Sequence, residues 1–227
     1  MLRTTSRIRS AWTRRLSLVY QPIWTPLSTL RRGEVLSRIH PADPEWPISP
    51  LAWWRLAATL GPGYVAHLDR WVWRTVQAQA EPPTIWHINL WPQTVVRAAG
   101  WIAQQAVHGL ALEVTEQLPW PPAVWAQLHR VWIDRGGAVW LDDWTDPDQV
   151  PALTGLAGVK LDLHIWDGMT PAQAARWAQF VARCHERGLA VIAEGIETEA
   201  QRDVALTWGC DGLQGFLWGR PQPWPIL

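Results

Sequence analysis

Residues 158–198 read GVKLDLHIWDGMTPAQAARWAQFVARCHERGLAVIAEGIET and contain signals for a strand, a helix and a second strand in that order. The short apolar segment Gly158–Leu163 predicts a buried strand. Thr170–Gln173 has the pattern of a capping box with proline at the first helical position, so a helix starts there. That helix stops at Gly188, and Ala190–Ala193 forms the next strand. A strand, helix and strand in succession predict a parallel sheet covered by helices.

The same alternation extends through the rest of the chain. Further strands are predicted at Leu16–Pro22, Gly33–Ile39, Thr84–Leu90, Leu110–Thr115, Ala138–Asp142 and Gly212–Leu217. Apolar residues at helical spacing between Leu68 and Val76 mark one helix face, and Thr198–Gln201 is a second capping box. Eight strands with intervening helices predict an α/β fold of the (β/α)₈ (TIM-type) class. The barrel domain is assigned to residues 16–227, after a basic tail at residues 1–15.

Composition excludes several classes of protein. The chain has 227 residues and a formal net charge of zero, so no duplex nucleic acid partner is expected. No apolar run approaches the roughly 20 residues needed to span a bilayer. Five arginines and no acid in residues 1–15 fit a short basic tail better than an organellar transit peptide. Cys184 and Cys210 have neither metal nor redox spacing, and a cytoplasmic location is expected.

Residue usage is strongly skewed. The chain has 20 tryptophans, which we interpret as filling core positions rather than lining a groove. Lys160 is the only lysine and Asn89 is the only asparagine. In a chain that lacks these residue types elsewhere, the two survivors are candidates for a chemical role.

Acidic or amide side chains stand on or directly after the predicted strands, where the active site of such a barrel lies. They are Glu34, Asn89, Glu113, Glu116, Asp142, Asp143, Asp162, Glu194 and Glu197. Each one alone is explained by a helix cap or a solvent-exposed loop. Together they would crowd like charges into one barrel mouth, which is unfavourable without a cation. Because all the ligands are oxygens, the sequence predicts Mg²⁺ or Mn²⁺.

Lysine belongs in the same predicted site. Lys160 and Asp162 are two residues apart on a predicted strand, which places both on one face. Metal ions lower the pKa of an attacking water, and a neighbouring lysine can orient that water or stabilise developing charge. The sequence therefore predicts phosphodiester hydrolysis. The seven histidines are scattered, and we interpret them as structural.

An ordered set of motifs covers the chain from Tyr20 to Pro223. They are Tyr20-Gln21-Pro22-Ile23, Glu34-Val35-Leu36, Arg38-Ile39-His40-Pro41, Asn89-Leu90, Leu112–Glu116, Leu141-Asp142-Asp143-Trp144, Lys160-Leu161-Asp162, Ala193–Thr198 and Gln214-Gly215-Phe216-Leu217. In this order they resemble the EAL domain family of bacterial cyclic di-GMP phosphodiesterases. The resemblance implies hydrolysis of cyclic di-GMP to the linear dinucleotide pGpG.

The resemblance also implies roles for the matching residues. The ligands of a first metal would be Glu34, Asn89, Glu113 and Asp142, and Asp143 and Asp162 would serve a second. Lys160 would contact the attacking water, and Glu194 would be the general base or a further ligand. Arg38 would meet a substrate phosphate, while Gln21, Leu36 and Gln214 would line the groove. Glu116 and Glu197 would anchor the neighbouring loops.

One loop departs from the family pattern. After Asp143 the family has a glycine-rich run that orders the second metal and contributes to dimer contacts, whereas residues 145–149 here read TDPDQ. Two functions stay open: a phosphodiesterase, or a degenerate domain that acts as a cyclic di-GMP receptor or protein-binding regulator. The retained Lys160 and Glu194 favour the enzyme. A homodimer and a separate sensor protein are further expected partners.

Overall fold

Eight strands close into a barrel in the computed structural model, which describes residues 13–26, 28–40, 49–79, 83–115 and 118–224. The strands are β1 (Leu16–Trp24), β2 (Arg31–Ile39), β3 (Thr84–Asn89), β4 (Leu110–Thr115), β5 (Ala138–Trp144), β6 (Gly158–Leu161), β7 (Ala190–Ala193), β8 (Gly212–Gln214) and a short outer strand, β9 (Gln222–Pro223). The helices are α1 (Pro50–Leu60), α2 (Pro62–Gln79), α3 (Pro92–Ile102), α4 (Pro122–Val131), α5 (Pro171–Glu186) and α6 (Glu199–Trp208). The predicted barrel is confirmed.

The first strand runs against all its neighbours. Strands β2 to β8 are parallel in sequence order, whereas β1 pairs antiparallel with both β2 and β8 and so closes the barrel. Only residues 25–30 connect β1 to β2, and an antiparallel pair needs no longer connection. The register places Gln21 opposite Glu34 and Ile23 opposite Gln214.

Both predicted capping boxes are present. The Thr170 hydroxyl accepts from Gln173 N at the start of α5, and Thr198 does the same for Gln201 at the start of α6. Helix α6 ends at Gly209, whose φ of 89° lies in the left-handed region that glycine adopts without strain. Local sequence therefore fixes the ends of the two helices that flank β7.

Tryptophan fills the core, as predicted. Each tryptophan in the described residues is either buried or packed against a buried cluster. Most of them lie between the barrel and its helices. Inside the barrel, Trp140 packs with Ile23, Ala111 and Ile192 below the polar residues of the mouth.

Three strands end earlier than predicted, and β3 does so by one residue, at Asn89 instead of Leu90. Strand β6 stops at Leu161 because Asp162 caps a short 3₁₀ helix, Leu163–Trp166. Strand β8 stops at Gln214 because the following chain bonds to the loop after β7, through Leu217 N to Ile196 O at 3.0 Å. The predicted ends at residues 163 and 217 were wrong.

Some predictions fall outside the described residues. These include Glu116 and most of the predicted basic tail. Within the described part of the chain, no helix is long and apolar enough to cross a membrane.

Candidate active site

Lys160 lies at the centre of the barrel mouth with its side chain fully buried. Its Nζ lies 3.2 Å from Glu34 Oε2, 3.0 Å from Glu113 Oε1, 2.9 Å from Asp142 Oδ1 and 2.8 Å from Glu194 Oε1. The four carboxylates come from β2, β4, β5 and the residue directly after β7. The structure therefore gathers four of the predicted site residues around the ammonium group of a fifth.

The backbone of β5 is irregular where its two aspartates lie. Consecutive side chains of a regular strand point to opposite faces. Here the register to β6 shifts between Leu141 and Trp144, and Asp143 has a φ of 59°. This conformation is unusual for a residue with a side chain. As a result, carboxylate oxygens of Asp142, Asp143 and Glu194 all lie within 4.8 Å of one another.

One ammonium cannot neutralise this many buried carboxylates. Burial, reinforced by the neighbouring acids, raises the pKa of Glu113 well above its usual range. Burial likewise raises the pKa of Glu194 well above its usual range and raises the pKa of Asp142. The pKa of Asp143 is raised by burial to about 6. Burial also opposes ionisation of Glu34, but Lys160 and Gln214 outweigh it and lower the pKa of Glu34. The acids in turn outweigh the burial of Lys160 and raise its pKa.

Amide side chains hold Glu34 from the other side. Gln214 Nε2 donates to Glu34 Oε2 at 2.7 Å and to Gln21 Oε1 at 3.3 Å. Asn89 Nδ2 donates to Glu34 Oε1 at 3.3 Å, which leaves the amide oxygen of Asn89 available as a ligand. Three residues predicted for the ligand groove or the metal thus form one network with Glu34.

His87 is a site residue that the sequence interpretation missed. Its ring is fully buried, with Nδ1 at 3.0 Å from Glu113 Oε1 and Nε2 at 3.2 Å from Arg32 Nη1. Burial, Lys160 and Arg32 hold the pKa of His87 well below its usual value, so the ring is neutral. The available signal was its position: His87 and Asn89 are two apart on β3 and share a face.

The loop after β7 presents Glu194 by close backbone packing. Ile196 N donates to Gln214 O at 3.0 Å, and a Cβ at Gly215 would lie 2.1 Å from Ile196 O, so glycine is required there. Trp166 Nε1 donates to Glu194 O at 2.6 Å, and the Trp166 ring stacks on Trp208. No motif in the sequence indicated this support.

Buried Asp69 fixes the turn that follows Asn89. It accepts from Trp54 Nε1 at 2.6 Å, Thr94 Oγ1 at 2.6 Å and Trp91 N at 3.1 Å. Burial raises its pKa to about 6, although the three donors favour the ionised form. Asp69 therefore ties α1, α2 and the start of α3 together beside the mouth.

Two cavities open at this end of the barrel. One, of about 500 Å³, is lined by four of the site's acids and by polar and apolar neighbours: Glu34, Asp142, Asp143, Glu194, Gln21, Leu36, Glu197 and Gln214. The other, of about 350 Å³, is lined by Leu36, Arg38 and Asn89. Leu36 borders both cavities.

Asp162 is placed differently from the other predicted ligands. Its carboxylate accepts from His164 N at 2.6 Å and caps the 3₁₀ helix, one residue beyond the end of β6. It still acts electrostatically on Asp143. Glu197 is exposed, and Gln201 accepts from its backbone N–H.

The donor set fits a hard divalent cation. Carboxylate oxygens of Glu34, Glu113 and Asp142 lie within 4.8 Å of one another. Among the described residues, buried Glu113 Oε2 has no hydrogen-bond partner, which a cation would supply. His87 offers no free nitrogen, because both of its nitrogens already have partners. Oxygen ligands of this kind suit Mg²⁺ or Mn²⁺.

Comparison with known proteins gives a consistent result. A sequence model described as the EAL domain matches residues 6–221. The bifunctional diguanylate cyclase/cyclic di-GMP phosphodiesterase MucR of Pseudomonas aeruginosa is 48% identical over 50 residues, which cover 22% of this chain and 7% of MucR. The matched stretches span less than a third of the length of each curated relative.

Solved structures share the fold. One described as the PaMucR phosphodiesterase in complex with c-di-GMP matches with a TM-score of 0.74 and 25% identity, covering 92% of this chain and 98% of that one. A Klebsiella pneumoniae BlrP1 complex with manganese and cy-diGMP has a TM-score of 0.71 and 22% identity, covering 92% of this chain and 56% of that one.

Proposed function

The chain belongs to the EAL domain family, and on that premise we propose that it is a metal-dependent phosphodiesterase that hydrolyses cyclic di-GMP to pGpG. The observation that carries the proposal is the placement of Lys160 among Glu34, Glu113, Asp142 and Glu194. A receptor needs to hold a ligand, but it has no need for so many buried acids around one lysine.

The proposed metal ligands are those that the family resemblance implies. The first ion would be held by Glu34, Asn89, Glu113 and Asp142, and the second by Asp143 and Asp162. When bound, Mg²⁺ or Mn²⁺ would polarise the phosphoryl group and lower the pKa of a coordinated water. Glu113 Oε2 supports the first assignment because the described residues leave it buried without a partner.

The chain's own residues supply the remaining chemistry. Lys160 Nζ orients the attacking water and stabilises negative charge that develops on the phosphate. Glu194 would take up the proton of the attacking water, and burial raises the pKa of its carboxyl, which favours the protonated form. Its contact with Lys160, at 2.8 Å, keeps the proton acceptor next to the ammonium.

Substrate would occupy the two cavities on either side of Leu36. Gln21 and Gln214 line the cavity that contains the acids, and Arg38 lines the other, where its guanidinium would meet a phosphate oxygen. The joint opening matches a ligand with two nucleotide units, one on each side of the reacting phosphodiester.

A receptor function is the second candidate, and the loop at residues 145–149 favours it. Asp148 pairs with Arg176 of α5, and Arg183 donates to Pro147 O at 2.5 Å. The loop is therefore tied to α5, and one oxygen of Asp162 is used as a helix cap. A chain with one working metal site would bind cyclic di-GMP and hydrolyse it slowly or not at all.

The proposal extends to location and partners. A cytoplasmic location, a homodimer and a separate sensor or regulatory protein are proposed with it, and each is open to direct measurement.

The deciding experiment is turnover of cyclic di-GMP by the purified chain with Mg²⁺, Mn²⁺ or Ca²⁺, with a binding titration in parallel. The proposal expects pGpG with Mg²⁺ or Mn²⁺ and none with Glu34→Gln, while Asp203→Asn, which changes an exposed acid outside the site, keeps full activity. Tight binding without product would replace the enzyme by a receptor. If the chain neither binds cyclic di-GMP nor forms pGpG, it is a protein-binding regulator.

A further inference from the structure

Beneath the carboxylates, a buried polar column continues toward the opposite end of the barrel. It runs from Lys160 through Glu113 and His87 to Arg32 at the start of β2. His87 is fully buried, and Trp140 packs against its ring at a centroid distance of 5.3 Å. Arg32 lies over the same indole, with Cζ 5.7 Å from the ring centroid. The imidazole therefore has little freedom to turn.

Arg32 decides which nitrogen of His87 carries the hydrogen. A guanidinium can only donate hydrogen bonds, so Nε2, at 3.2 Å from Arg32 Nη1, must accept. The hydrogen of the neutral ring is then on Nδ1, and it points to Glu113 Oε1 at 3.0 Å. If both nitrogens of His87 carried hydrogens, the Nε2–H would face an N–H of Arg32, and neither group could accept a hydrogen bond.

The Nδ1–H of His87 distinguishes the two carboxylate oxygens of Glu113. Oε1 lies near both His87 Nδ1 and Lys160 Nζ, each at 3.0 Å. Oε2 has no hydrogen-bond partner among the described residues, although it is buried. One carboxylate oxygen is thus held by two donors and the other is left for a ligand.

We propose that His87, held by Arg32, is a positioning residue that fixes Glu113 so that Oε2 serves as the metal ligand. The inference rests on the metal site of the proposed function and adds the residues that orient it. Outer partners of this kind fix ligand geometry, and their loss typically lowers metal affinity about 10- to 100-fold.

The test measures Mn²⁺ affinity by calorimetry or electron paramagnetic resonance, without substrate. Two variants of nearly equal chemistry separate positioning from packing. His87→Asn places an amide nitrogen where Nδ1 lies, whereas His87→Gln reaches the place of Nε2 and cannot donate to Glu113 in the same way. We expect His87→Gln to lose about 10- to 100-fold in Mn²⁺ affinity and His87→Asn to recover most of that loss.

Two controls accompany these variants. His129→Gln alters a histidine near Asp134, outside the site, and should leave Mn²⁺ affinity unchanged. In the metal-free protein, long-range ¹H–¹⁵N spectra should show the His87 hydrogen on Nδ1, and Arg32→Met should release that preference.

Equal Mn²⁺ affinity in the Asn and Gln variants, or a hydrogen on Nε2, would overturn the inference. The two proposals fail separately. If His87→Gln weakens Mn²⁺ binding but the parent chain does not hydrolyse cyclic di-GMP, the positioning role of His87 stands and the proposed enzymatic function fails. If the parent chain hydrolyses cyclic di-GMP but His87→Gln keeps its Mn²⁺ affinity, the enzymatic function stands and the positioning role fails.

Discussion

Replacing Lys160 with methionine should destabilise the metal-free protein strongly. The change keeps an unbranched side chain, one atom shorter, but removes the ammonium that lies within 3.2 Å of four carboxylates. Removing one partner of a buried ion pair costs about 3–5 kcal/mol, because it leaves the other charge uncompensated. For a chain of 227 residues, each kcal/mol lowers Tm by about 2–4 °C. We therefore expect Lys160→Met to lower Tm by roughly 6–20 °C.

The assay is thermal unfolding followed by circular dichroism in the presence of a chelator, then with saturating Mn²⁺. Mn²⁺ at about 100 times its Kd adds about 2.7 kcal/mol to the stability of a chain that binds it only when folded. The cation should stabilise Lys160→Met more than the parent, because it takes the place of the missing ammonium.

Two further observations check the electrostatic origin. Without Lys160, the carboxylates around it lose a positive charge that favours their ionised form, so their pKa values in the folded state rise. The folded variant then takes up protons, so its deficit should be smaller at pH 5 than at pH 8. Arg176→Met, which breaks the exposed pair with Asp148, should leave Tm close to that of the parent. A Lys160→Met protein with the parent's Tm in chelator would refute this account of the site.

Four other results are expected. Glu34→Ala and Asp142→Ala should each abolish metal-dependent turnover of cyclic di-GMP while the circular dichroism spectrum stays that of a folded barrel; activity in both would remove the site assignment. Lys160→Arg should also lose turnover, because a longer planar guanidinium cannot replace a compact ammonium at 2.8–3.2 Å from four carboxylates. Trp166→Phe keeps an aromatic ring beside Trp208 but loses the hydrogen bond to Glu194 O. Such a bond contributes roughly 1 kcal/mol, so kcat should fall about fivefold. An unchanged kcat would show that Glu194 needs no such support. Burial raises the pKa of Asp69 from 3.8 to about 6, so the folded chain holds this proton more tightly than the unfolded chain. The stability of the parent should therefore fall as pH rises from about 4 to about 6. Urea unfolding of Asp69→Asn should show a shallower decline over the same range, and an equal decline would contradict the prediction.

Local signals along the chain were enough to predict the barrel. Strand periodicity and capping boxes depend on residues a few positions apart, and the boxes at Thr170 and Thr198 lie where the sequence indicated. The acids were predicted as a group for a similar reason, because parallel strands bring their carboxyl ends to one mouth. Residue type and position relative to the predicted strands were therefore enough to identify the main site residues from the sequence alone, namely Glu34, Glu113, Asp142, Lys160 and Glu194.

The tertiary structure decided what local signals do not contain. Lys160 and Glu34 are 126 residues apart in sequence, and their contact depends on the register of the whole barrel. Periodicity predicted Asp162 on the strand with Lys160, whereas the structure ends that strand one residue earlier and uses the Asp162 carboxylate to cap a 3₁₀ helix. The irregular backbone at Asp143 and the column from Arg32 through His87 to Glu113 likewise exist only once distant strands are paired, because each depends on partners that no short stretch of sequence specifies.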